Sequence, residues 1–157
     1  MESATLTGRA ASGVAAHDTG ASTVDRLKSD PGYQAFWMLR VGFAVLPVLF
    51  GLDKFFDVLV NWEIYLAPWI NDVVPGNAAE AMYAVGVIEI LAGIAVALKP
   101  RYAAYVVAAW LGGIIVNLLS HSGYYDIALR DFGLLVGALT LARLASKYDS
   151  PLFRARA

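Results

Sequence analysis

The chain has 157 residues, 59% of them hydrophobic and only 16% charged, with a mean hydropathy of +0.58. Soluble domains of this length are usually about a quarter charged, so a water-facing globule is a poor fit. The formal net charge of −1 leaves no basic surface for nucleic acid. The absence of cysteine excludes disulfide exchange, iron–sulfur clusters and covalently attached haem.

Residues 1–34 read as a flexible cytoplasmic tail. The stretch ESATLTGRAASGVAAHDTGASTVD is rich in small residues and has no apolar core of the kind a signal peptide carries. Pro31-Gly32 reads as a turn on the approach to the first apolar segment. Four apolar segments follow, at about 35–59, 79–98, 102–121 and 124–145. Each is about 20 residues long, which at ~1.5 Å per residue covers a hydrocarbon core of ~30 Å. The expected fold is therefore all-α: an integral membrane four-helix bundle over 35–145, antiparallel and up-and-down.

The connections differ in kind. Pro100 and the Ser122-Gly123 pair make two of them tight turns, which forces antiparallel neighbours. The first connection, 60–78, is longer and reads as an external interfacial segment. Trp62, Tyr65, Leu66 and Trp69 recur there at helical spacing, with Pro68 interrupting any long helix. Such a segment either anchors at the headgroup level or forms a lid over an external pocket. Residues 146–157 read as a cytoplasmic C-terminal tail.

Orientation follows from the 12 Lys and Arg residues. Arg9, Arg26 and Lys28 precede the first segment, Lys99 and Arg101 lie between the second and third, and Arg143, Lys147, Arg154 and Arg156 cluster at the C-terminal end. The other two connections have none. The positive-inside rule then puts both termini and the Lys99–Arg101 turn in the cytoplasm.

Inside the apolar segments stand Arg40, Asp53, Lys54, Glu89, Arg130 and Asp131, three positive and three negative. An unpaired ion in hydrocarbon costs on the order of 3 kcal/mol or more, so this balance points to a mutually paired network. Arg40, Ala44, Pro47, Gly51 and Lys54 share one helix face, and Met82, Gly86, Glu89 and Gly93 another. Gly113, Asn117 and His121 line up on the third segment. Asp126, Arg130, Gly133 and Gly137 line up on the fourth. Arg130 and Asp131, adjacent in sequence, are expected to bond to different helices. The expected picture is a polar pocket open outward, lined by Lys54, Asn117, His121, Arg130 and Asp131 with Glu89 at its floor. The alternative is that the same charges pair with each other and leave no cavity.

The spacing Arg40…Gly51-x2-Lys54 in the first segment and Glu89-x3-Gly93 in the second resembles the DoxX family of small bacterial and archaeal four-helix membrane proteins, over about residues 36–145. The resemblance implies a prokaryotic cytoplasmic-membrane protein and a non-catalytic subunit that anchors or completes a membrane oxidoreductase. A quinone is the cofactor it implies. Lys54, Asn117, His121 and Arg130 are donors able to meet quinone carbonyls in an apolar slot. No catalytic residue or metal site is expected, because only two histidines exist and His17 lies in the tail. Two further readings stay open: a scaffold protein whose charges are purely structural, and a homo-oligomer that passes a small solute or protons. The expected partners are the lipid bilayer and a protein of a membrane redox complex.

Overall fold

The computed structural model describes residues 23–120 and 123–149. Among them every regular element is helical: α1 (Thr23–Ser29), α2 (Pro31–Asp53), α3 (Pro68–Val73), α4 (Ala78–Leu98), α5 (Pro100–Ser120) and α6 (Tyr125–Tyr148), with a short 3-10 turn at Trp62–Tyr65. Three of them, α2, α4 and α5, are long and apolar enough to cross a membrane. The sequence suggested four. The 24-residue α6 is as long as the others but carries Asp126, Arg130, Asp131, Arg143 and Lys147, which lower its hydropathy.

Local chemistry explains where the long helices begin and end. Pro31 starts α2 rather than making a turn before it, because Pro suits the first helical position and Asp30 caps it. The Asp30 carboxylate accepts the amides of Gly32 at 2.9 Å and Tyr33 at 3.1 Å. Part of the stretch read as a tail, 23–29 and 31–34, is thus helical. An Asn77–Glu80 capping box opens α4. Gly76, at φ 104°, makes the left-handed step into it. Pro100 ends α4 and occupies the first position of α5, so Lys99 is all that separates them. The last helix runs on to Tyr148, into residues the sequence assigned to a tail.

The other end of α2 departs most from expectation. Apolar residues continue to Val60, but the helix stops at Asp53. Its carboxylate turns back to accept the amides of Val58 and Leu59, both at 3.1 Å, and the Trp62 indole N–H at 2.8 Å. Asp57, at φ 49°, lets the chain reverse there, a conformation Asp tolerates better than most residues.

The helices pack in the cyclic order α2, α4, α5, α6, with α5–α6 and α2–α4 the most extensive pairs. Residue register shows that α2 and α4 are antiparallel. A β-carbon on Gly51 would stand 2.5 Å from the Gly86 carbonyl oxygen, and one on Gly93 would stand 2.5 Å from that of Ala44. These backbones touch only because the side chains are missing or minimal. The α5–α6 pair uses alanine instead: Ala104, Val107, Ala108 and Leu111 face Ala138, Leu141, Ala142 and Ala145 in one buried cluster. With Tyr33, Phe36 and Val96 these residues place the apolar core at the end where α2 begins and α6 finishes. The polar cluster around Lys54 lies at the opposite end.

Candidate functional site

Lys54 is the centre of the polar end. It follows the last residue of α2 and is only 4% exposed. Its Nζ lies 2.7 Å from Oε2 of Glu89, midway along α4, and 3.7 Å from the centroid of the Trp62 ring. Trp62 covers the ammonium with its π face while its indole N–H serves Asp53. One aromatic side chain thus joins two acid–base residues of opposite sign. Breaking a pair buried in this way costs about 3–5 kcal/mol, because it strands one ion without solvent.

Trp62 is held in place by the rest of its segment. Asn117 of α5 accepts the Ala67 amide at 2.9 Å and donates Nδ2 to the Tyr65 carbonyl at 2.7 Å. Its amide side chain completes both backbone groups of the segment, and Ala67 is fully buried beneath it. Trp69 donates Nε1 to Ser120 Oγ at 2.8 Å, and the Tyr65 ring meets Tyr124 edge-on at 5.1 Å. The connection is therefore a docked cover over the Lys54–Glu89 pair.

The residues named from the sequence fall into three groups. Lys54, Glu89 and Asn117 come together as described. Asp131 is buried on the inward side of α6. His121 lies outside the described residues. Arg130 and Asp53 require correction as members of a cross-helix charge network. The Arg130 side chain is 68% exposed and folds back to Asp131 at 3.4 Å, so the adjacent residues do pair. The long Arg arm wraps around the helix, which one-face spacing arguments ignore. The inward stripe of α6 is Ala128, Asp131, Ala138, Leu141 and Ala145, and Gly133 has nothing near it. Asp53 satisfies backbone amides and an indole rather than a cation.

Arg40 belongs to the other end of the molecule. Its Nη2 donates to the Ala97 carbonyl at 2.6 Å, and Nη1 lies 3.4 Å from Asp149 just after α6. Trp37 packs against its guanidinium at 5.0 Å. Beside it, Tyr148 donates its hydroxyl to Asp30 at 3.2 Å and packs against the Tyr33 ring. Sequence reading missed Asp149 and Tyr148. The available signal was an acid just past the last apolar segment, at the same depth as Arg40.

This arrangement supplies two buried ion-pair stations, one at each end of an apolar bundle. Among the described residues no group of acids or histidines is placed to hold a metal ion. No protein-family model, curated protein or solved structure matches the chain.

Proposed function

We propose that the chain is a four-span, antiparallel bundle of a prokaryotic cytoplasmic membrane with both termini inside. In this reading it is a non-catalytic, DoxX-like subunit that anchors or completes a membrane oxidoreductase. The observation that carries it is the closure of the Lys54–Glu89 pair beneath Trp62. Polar groups that could have run a reaction are committed to one another and to backbone. What remains available to a partner is the apolar exterior, where Val41, Val45, Leu91, Val106, Leu129 and Phe132 all stand exposed. A fourth span is supported by the length of α6 and by its pairing with α5. The family and redox assignments rest on the Arg40, Gly51, Lys54 and Glu89, Gly93 spacing.

A quinone is the ligand this reading would bring to the bundle. As folded, Lys54 donates to Glu89, Asn117 donates to the Tyr65 carbonyl, and Arg130 folds back to Asp131 on an exposed face. A quinone would reach Lys54 only with the Trp62 segment lifted.

Extraction of the tagged chain from its native membrane in mild detergent tests the proposal. A subunit bearing a redox centre should co-purify at fixed stoichiometry, and mass spectrometry of the lipid extract should find no tightly held quinone. Stoichiometric quinone, lost from folded Lys54→Met protein, would convert the pair into a ligand site. Recovery of the chain alone, with solute or proton flux in liposomes, would replace the subunit reading by permeation.

A further inference from the structure

A groove of about 210 Å³ lies between α2 and α4, lined by Ala44, Val48 and Leu49 on one side and Gly93, Ile94 and Ala97 on the other. It has a definite origin. Ala44 and Gly93 bring the two backbones into contact, so the larger Leu49 and Ile94, both about half exposed, stand as walls on either side of a valley. Toward the core end the groove reaches Ala97, whose carbonyl is held by Arg40. Two residues further on the chain turns through Lys99-Pro100-Arg101. Both cations there are exposed, and neither has an ion-pair partner among the described residues. The opposite end of the helices exposes Asp57, Glu63, Asp72, Glu80 and Asp126, with Arg130 the one exposed cation among the described residues there.

We propose that this groove seats an acyl chain of one anionic phospholipid, whose headgroup phosphate is taken by Lys99 and Arg101. The inference rests on the four-span reading given above. An apolar slot that opens sideways fits a hydrocarbon chain, and the turn just past its Ala97 end carries the exposed Lys99 and Arg101 for the phosphate attached to that chain. A second copy of the chain fits less well. A twofold partner about the membrane normal would bring its own Lys99 and Arg101 to the same end, like charge against like. Each cation near the headgroup contributes about a fivefold preference for an anionic lipid, so the two together give about 25-fold.

The test uses the full chain, stripped of lipid in detergent and titrated with phosphatidylglycerol and phosphatidylcholine of matched acyl chains under native mass spectrometry. One phosphatidylglycerol should be held about 25-fold more tightly than phosphatidylcholine. Lys99→Gln with Arg101→Gln should bring the two lipids to parity. Ala97→Phe, which fills the groove from its exposed rim, should weaken both lipids while leaving helical content unchanged. If that variant does not fold, Ala97→Leu carries the same test. Parity in the parent, or unaltered binding to the filled variant, overturns the proposal. So does a dimer that Ala97→Phe dissociates, because the groove then holds a second copy. Alkaline carbonate separates the two levels: a chain washed from its membranes overturns the four-span reading as well, whereas one that stays embedded without lipid preference overturns only the lipid site.

Discussion

At the scale of single residues, Lys54 and Glu89 show why ionisable side chains are tolerated among so many apolar ones. Each is the solvent the other lost, and Trp62 supplies the remaining contact on the ammonium. Glu89→Gln alone should therefore lower stability by about 3–5 kcal/mol by stranding Lys54, whereas Lys54→Met combined with Glu89→Leu should recover most of the loss. Thermal unfolding of the two variants in one detergent reads this directly. Asp30 gives a prediction in pH. The Tyr33 amide, helped by the Tyr148 hydroxyl and the Gly32 amide, holds its carboxyl below the usual carboxylate range, against the opposing effect of desolvation. A carboxyl depressed in the folded state stabilises above its unfolded value of about 4, and that contribution disappears as pH falls through the folded value. The parent should thus lose melting temperature between about pH 5 and pH 2 more steeply than Asp30→Asn, which keeps a capping side chain without the titration.

Elements are joined here by two kinds of contact, and each makes its own prediction. The α2–α4 pair depends on Gly51, Gly86 and Gly93, where any β-carbon meets backbone. Gly86→Val should force the helices apart at the level of Lys54, costing about 1–3 kcal/mol by overpacking alone, with any loss of the ion pair adding to it. Gly133→Ala, on the open face of α6, should cost almost nothing in the same assay. The second kind of contact is the docking of the 3-10 turn and α3 onto α5 through Asn117. Asn117→Ala strands a carbonyl and an amide, an effect of about 1–3 kcal/mol. The connection should then become cleavable by protease near residues 58–66 while the long helices stay protected. Sequence pattern located the helix faces of α2 and α4 correctly because glycine and charge coincide on them. It misplaced the inward face of α6, where alanine makes the contact and the charges of Arg130 and Asp126 look outward.

For the whole molecule, apolar core and polar cluster occupy opposite ends of the bundle, and each end is tied by its own ion pair. The absence of cysteine makes the proposed orientation directly measurable, since any single cysteine introduced is the only one present. Lys99→Cys should react with an impermeant maleimide only from the cytoplasmic side of sealed vesicles, and Glu63→Cys only from the other. Labelling of both from the same side would overturn the single span, α4, that the proposed topology places between them.

Length, composition and the spacing of charged and small residues by themselves determined a helical fold with helices long enough to cross a membrane. Those properties depend on local periodicity and on the cost of exposing backbone and charge to hydrocarbon, and both are written in neighbouring residues. Only the tertiary structure decided that α2 ends at Asp53, that Trp62 bridges that acid to Lys54, that Asn117 pins the long connection, and that Arg40 reaches Asp149. These contacts join residues up to 109 positions apart. Which of several equally spaced partners a charge meets is set by helix rotation and side-chain reach, quantities that appear only when the helices are packed.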